Sequence, residues 1–183
     1  MTMNHWMSWE GGVDLIAKTS AELGMPNVIV HVARMVHTPV GSAPSGMIFW
    51  QPDPTAPPLA CGFVSSDAAV GAYFANHIFA GTPFEGAPVI LGSVAIEISK
   101  EQATARVEIP GFIFESHLAE FSETTMVHRE PIPTAPFYQQ GLEAAAKHAC
   151  LKVNGEKVDL IIPPIGITGG PCAVVAACGL YAR

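Results

Sequence analysis

The sequence has little charge for its length. Only 14% of its 183 residues are Asp, Glu, Lys or Arg, against about 25% in typical globular proteins. Nine Lys and Arg stand against sixteen Asp and Glu, a net charge of −7, which argues against a nucleic acid as the partner. Hydrophobic residues make up 49%, so the chain can bury a core and is not disordered. Its length predicts a single domain over residues 1–183.

Sparse charge also has a consequence for assembly. A monomer of this length exposes roughly 8,500 Å², over which so few charged side chains are thinly spread. We expect a homo-oligomer, because a partner subunit would cover part of this outer surface. The alternative is a monomer whose surface is built from Ala, Gly, Pro, Ser and Thr.

Signals for secretion, disulfides and membranes are lacking as well. The first seven residues contain no basic segment and no apolar run, so we expect no secretory signal. The four cysteines are scattered without a Cys-x-x-Cys pair, which favours a reducing cytoplasm over a disulfide framework or a zinc site. Residues 160–182 carry no charge, but Pro and Gly interrupt them, so we expect two buried strands there and no membrane partner.

The common catalytic motifs are absent too. The sequence contains no Walker A loop, no Gly-x-Gly-x-x-Gly, no His-Glu-x-x-His and no Gly-x-Ser-x-Gly. Their absence argues against nucleotide-dependent chemistry, zincins and α/β-hydrolases. Enzymes with dispersed site residues remain open.

Strand patterns alternate with few helical ones. Apolar spacing predicts helices over 12–24 and 67–79 and a third that begins at Pro136. The remaining apolar runs predict six to eight strands with mostly hairpin-length connections. The pattern favours an α+β fold with a largely antiparallel or mixed sheet, packed with about three helices as a two-layer sandwich or a curled sheet.

The strongest local signal is Asn154-Gly155. A two-residue Asn-Gly loop between alternating strands predicts a hairpin with a type I′ turn, which would pair Leu151 with Val158. Residues 38–45 and 115–133 are predicted as irregular, because Pro and Gly interrupt the first and polar residues dominate the second.

Titratable residues are concentrated between Glu115 and Glu130, in a chain otherwise poor in charge. Glu115 and His117 are the candidate catalytic residues, because a carboxylate beside an imidazole can transfer protons or hold a divalent metal with another His. The alternative is a solvated polar loop. Which metal or cofactor would bind is left open by the sequence.

Four further residues are candidate ligand-binding positions. His31 and His37 would share one side of a regular strand and could line a pocket, or each could be an ordinary core or edge histidine. Phe84 belongs to a Phe/Pro/Gly loop over 79–88 that could form a pocket wall or dock on a neighbouring subunit. Thr168 lies in a Gly-rich segment that could bind an anion or form a simple turn.

These residues favour a soluble, cytoplasmic protein that binds a small molecule in a partly apolar pocket. In its more specific form it is an enzyme that uses Glu and His for acid–base or metal-assisted chemistry. The alternative is a non-catalytic homo-oligomeric assembly or regulatory subunit. The first interpretation predicts that Glu115, His117 and His31 or His37 meet in one cavity. The second predicts that they are scattered.

Overall fold

A computed structural model describes residues 4–183, which are nearly all sheet: 58% strand and 6% helix. The helical part is α1 (Ala68–Tyr73), followed directly by a π-helical turn (Phe74–Ile78). The strands within the described residues are β1 (Trp6–Ala17), β2 (Val28–Thr38), β3 (Gly41–Trp50), β4 (Ala60–Ser65), β5 (Val89–Leu91), β6 (Ser93–Ile98), β7 (Gln102–Ile109), β8 (Phe112–Phe121), β9 (Thr125–Arg129), β10 (Tyr138–Val153), β11 (Glu156–Val158) and β12 (Ala173–Ala182).

The predicted α+β fold with three helices and six to eight strands is therefore wrong. The helix predicted over 12–24 is the second half of β1 and a loop, and the helix predicted from Pro136 is the 16-residue strand β10. β10 is rich in Ala, and the spacing of its apolar residues fits a helix as well as a strand. Pairing with β12, β8, β9 and β11 decides for strand, because sheet context outweighs weak local propensity. Residues 38–45 and 115–133, predicted as irregular, also contribute to β3, β8 and β9.

The helix predicted over 67–79 is confirmed as α1 and the π-helical turn. Its N-terminus is held by the side chain of Asp67, which accepts hydrogen bonds from the backbone N–H groups of Ala69 and Val70. Such a cap satisfies donors that have no partner within the helix. This short element packs on the outer face of the sheet.

The strands form one sheet in the order β5-β4-β3-β2-β1-β12-β10-β8-β7-β6. Neighbours are antiparallel except β4 and β5, which are parallel. The sheet curls until β6, at one end, contacts β2, β3 and β4 near the other. Its inner face is filled by small and branched apolar side chains from both ends of the sheet, including Val13, Leu15, Val30, Ile48, Val64, Val94, Val107, Phe114, Leu118 and Leu151.

A second apolar cluster covers part of the outer face. The rings of Phe63, Phe74 and Phe79 pack edge-to-face at centroid distances of 4.7 to 5.3 Å. They seal α1, the π-helical turn and the loop over 79–88 onto β1, β2, β3, β4 and β12. The molecule thus has two apolar regions, on opposite sides of the same strands. A polar side chain on either side of these strands is exceptional, because burying a polar group among apolar residues costs free energy.

An irregularity runs across the centre of the sheet. Gly11 in β1 has a φ of +62°, and the pairing register shifts between Ala33 and Val36 in β2. Ala33 and Val36 are three residues apart, yet both belong to the outer cluster, so the in/out alternation reverses between them. As a result His31 and His37 face opposite sides of the sheet. They would share a side only in a regular strand.

The Asn154-Gly155 hairpin is confirmed. Leu151 pairs with Val158, and the two turn residues have φ angles of 52° and 83°. Gly155→Val should lower the free energy of unfolding by about 1–2 kcal/mol, because a β-branched residue resists a positive φ. Chemical denaturation of both proteins measures this. An unchanged stability would contradict the turn type.

Candidate functional site

A cluster of polar side chains, some half-buried and some fully buried, lies on the outer face beside the aromatic rings; we call it the buried cluster. Asp14 of β1 and His31 of β2 are directly opposite each other, and their Oδ1 and Nδ1 atoms are 2.6 Å apart. Their side chains are 22% and 19% exposed. The register of the β1–β2 hairpin therefore creates the pair, which neither residue's local sequence could show.

A second ion pair belongs to the same cluster. Arg129 of β9 donates two hydrogen bonds to Glu143 of β10, at 2.7 and 2.6 Å. The amide of Gln139 donates a third to Glu143, at 2.7 Å. Glu143 is only 7% exposed. The guanidinium lies against Gly170, where a Cβ atom would clash with it, so the loop after residue 162 closes over this pair only because it carries glycine there.

The cluster is electrostatically coupled. Burial lowers the pKa of His31, but the charge and hydrogen bond of Asp14, with the charge of Glu143, outweigh it, so this pKa lies above its usual value of 6.5. Burial raises the pKa of Tyr181 well above 10, assisted by Asp14 and Glu143. The phenol therefore stays neutral, while the imidazolium form of His31 persists to higher pH than that of a free histidine.

Aromatic rings surround the imidazole. The ring centroids of Phe79 and Tyr181 lie 6.2 and 6.3 Å from that of His31, and Phe137 packs on Tyr181 at 4.3 Å. A cavity of about 10 Å³ beside the pair is lined by Asp14 and His31 and by apolar residues such as Trp9 and Phe74. A space of that size holds about one water molecule.

The Asp14–His31 pair makes stability depend on pH. Because the folded-state pKa of His31 is raised, the pair stabilises the fold fully below about pH 6.5, and this contribution is lost as pH rises through the folded pKa. The gap in unfolding free energy between wild type and Asp14→Asn should therefore shrink from pH 6 to pH 9. Urea unfolding across that range measures it. A gap that stays constant or grows with pH would contradict the raised pKa.

Glu115 and His117 share one face of β8, away from this cluster. Glu115 accepts a 2.7 Å hydrogen bond from Arg106, and Nε2 of His117 is 3.1 Å from Oε1 of Gln102. They line an open depression of about 400 Å³. The neighbours of β8 are β7 and β10, so the structure does not bring these residues to His31 or His37. Their catalytic role stays a prediction.

The other candidate residues lie at separate places. His37 lines a groove of about 470 Å³ on the opposite face from His31. Phe84 packs against Phe49 at 5.7 Å and lines another groove of about 590 Å³. Thr168 is half-buried, in a turn closed by the hydrogen bond from the Gly169 amide to the Gly166 carbonyl. Their roles in ligand binding stay predictions.

Sequence reasoning missed four members of the buried cluster. Asp14 was placed on the helix predicted over 12–24, and Glu143 on the helix predicted from Pro136. One signal was present: Asp14 is the one charged residue in the apolar run Val13-Asp14-Leu15-Ile16. Arg129 lies in the polar segment over 115–133 and Tyr181 in the last strand. No feature of the sequence distinguished either residue from its neighbours. Only the sheet order reveals that they meet.

Residues 4–183 contain no group of three or more His, Cys, Asp and Glu side chains placed to hold a metal ion. Within the same range, no helix has the length and hydrophobicity needed to cross a membrane.

Comparison with known proteins adds little. No protein-family model and no curated protein matches the sequence. Among solved structures, the chain is similar to an acetoacetate decarboxylase from Legionella pneumophila subsp. pneumophila str. Philadelphia 1, with 8% identity and a TM-score of 0.42 over 99% of this chain and 86% of that one. At that level of similarity, the function of this chain rests on its own residues.

Proposed function

We propose that the chain binds a small molecule beside the Asp14–His31 pair and transfers a proton to or from it. The buried cluster carries this proposal. Removing charged groups from water costs stability even when they are paired, and this chain places two ion pairs under an aromatic cover despite its low charge. Titratable groups with shifted pKa values, gathered in one place, are the usual mark of a functional site.

The residues divide into distinct roles. His31 is the proton donor and acceptor, because an imidazole can do both and Asp14 stabilises its protonated form. Asp14 fixes the tautomer and orientation of the ring through Nδ1, and the neutral phenol of Tyr181 is a hydrogen-bond donor close by. Arg129 and Glu143 are held to each other by two hydrogen bonds, so we assign the pair a fixed electrostatic field at the site and not a binding contact.

The ligand is a small, partly apolar molecule with one polar group. The polar group would meet His31, and the apolar part would lie among the rings of Phe74 and Phe79. Because the cavity holds only about one water, such a molecule enters only if the loop over 79–88 shifts. The left-handed Gly81 and Gly86, with φ of +72° and +81°, are the natural hinge positions in that loop.

Histidine-selective NMR tests the proposal. Fragments below about 200 Da that carry one polar group are added at millimolar concentration. We expect at least one fragment class to shift the His31 ring signals with saturation, and Asp14→Asn to weaken its binding at least tenfold. His148→Gln is the control, because His148 is 69% exposed and pairs only with Glu120. Saturable binding that leaves His31 unmoved, or no binding at all, would overturn the proposal.

One observation supports the alternative, a homo-oligomeric assembly. Large apolar side chains remain exposed on the single chain, most of all Met126 at 83%, and also Met25, Val40, Leu59, Leu91 and Ile165. We expect a homo-oligomer by light scattering at micromolar concentration. A molecular mass of one chain would contradict this.

A further inference from the structure

A second hydrogen-bonded chain of polar side chains lies on the sheet face opposite His31. The hydroxyl oxygen of Ser42 is 2.8 Å from Nδ1 of His37. Nε2 of His37 is 2.9 Å from Oε1 of Glu10. A hydroxyl, an imidazole and a carboxylate in this order form the arrangement that activates a serine as a nucleophile.

Three adjacent strands hold these side chains. Ser42 lies on β3, His37 on β2 and Glu10 on β1, and Ser42 and His37 are directly paired in the sheet. Hydrogen-bonded strands are a more rigid platform than a loop. The reversal of alternation at Gly11 and between Ala33 and Val36 turns Glu10 and His37 away from the buried cluster. Irregularities of this kind are common beside active sites, where they redirect a side chain.

The Glu10 partner fixes which nitrogen of His37 can act as a base. A carboxylate can only accept, so Nε2 donates its N–H to Glu10, and in the neutral ring Nδ1 then carries the lone pair and can accept the hydroxyl proton of Ser42. Arg34 lies 3.9 Å from the other oxygen of Glu10. This is the tautomer that a general base needs.

A groove lies beside His37 and Glu10. It has a volume of about 470 Å³, and both of these residues line it. Its walls are partly apolar, with Trp9, Leu142 and Leu180, and partly polar. A chain of several carbons could lie along the apolar walls, with a carbonyl at its end that reaches past His37 to the exposed hydroxyl of Ser42.

We propose that Ser42 is the nucleophile of an ester-hydrolysing site, with His37 as general base and Glu10 as its positioning residue. Oγ of Ser42 bonds to the ester carbonyl carbon while its proton passes to Nδ1 of His37. The carbon–oxygen bond to the alcohol then breaks, and the leaving oxygen takes that proton. Water attacks the acylated serine, His37 accepts a proton from the water, and Ser42 leaves with it, so ester and water yield acid and alcohol.

Covalent labelling tests this directly. The full chain is incubated with an alkyl fluorophosphonate and mapped by mass spectrometry, and hydrolysis of p-nitrophenyl butyrate is followed in parallel. We expect one adduct per chain, on Ser42, and none in Ser42→Ala. His37→Gln should slow both labelling and hydrolysis by about 100-fold or more, and Glu10→Gln by a smaller factor.

Controls separate this site from ordinary surface chemistry. Ser20→Ala alters an exposed serine of a loop and should leave labelling and hydrolysis unchanged. His148→Gln should also leave both unchanged, because His148 is an exposed residue of β10 that pairs with Glu120 and belongs to neither site. Melting temperatures show that each variant is folded. No adduct, an adduct on another residue, or equal labelling rates for wild type and His37→Gln would overturn the proposal.

Discussion

Replacing Gly46 with alanine is expected to cost more than about 4 kcal/mol and to leave little folded protein. Gly46 of β3 is buried opposite Val32 of β2. A Cβ atom there would overlap the carbonyl oxygen of His31 and lie 2.5 Å from Cα of Val32. Both obstacles are backbone, in a strand paired on both sides, so no side-chain rotation relieves the clash.

Circular dichroism and urea unfolding measure this loss. Gly24→Ala is the matched control, because nothing lies within 4 Å of the added Cβ and the residue is exposed. It should change stability by no more than about 0.5 kcal/mol. If Gly46→Ala unfolds within 1 kcal/mol of wild type, the close approach of β2 and β3 described above is wrong. The His31 position, which depends on that approach, would then be in doubt as well.

The second large effect on stability is expected when Glu143 is replaced. Glu143→Leu should lower the free energy of unfolding by about 3 kcal/mol. The change strips Arg129 of two hydrogen bonds and Gln139 of one. The Arg129 side chain is 17% exposed, so water can replace its partner only in part.

A double variant separates this loss from a simple packing defect. Arg129→Met combined with Glu143→Leu removes both charges, and should recover most of the stability that the single variant loses. Glu108→Gln is the control: Glu108 is 50% exposed and pairs with Arg106, so it should cost less than about 1 kcal/mol. A double variant less stable than Glu143→Leu would show that the buried charge of Arg129 is not the cause.

Prediction of the elements succeeded where local chemistry is decisive. The hairpin at Asn154-Gly155 was confirmed because a type I′ turn requires positive φ at two successive residues. The helix predicted from residue 67 was confirmed, and the Asp67 carboxylate caps it by satisfying donors within three residues. By contrast, β10 was taken for a helix, because its Ala-rich sequence has no local preference for a strand.

Prediction of the site was weaker. His31 was chosen as an imidazole among apolar strand residues and its role stays a prediction, whereas its partner Asp14 was assigned to a helix. The density of charge after Glu115 drew attention to a face whose groups pair with one another at the surface, as Glu115 does with Arg106. Density along the chain reports solvent exposure at least as often as function.

The sequence by itself determined the turns, the cap, the apolar content and the absence of standard motifs, since each depends on residues within a few positions of one another. Tertiary structure alone decided which residues meet. The register of the β1–β2 hairpin places Asp14 opposite His31, and the pairing of β9 with β10 brings Arg129 to Glu143. A reversal of the in/out alternation in β2 places His37 on the other face of the sheet. Register and sheet order follow from many weak long-range contacts acting together, and one extra residue in a strand reverses every side chain beyond it.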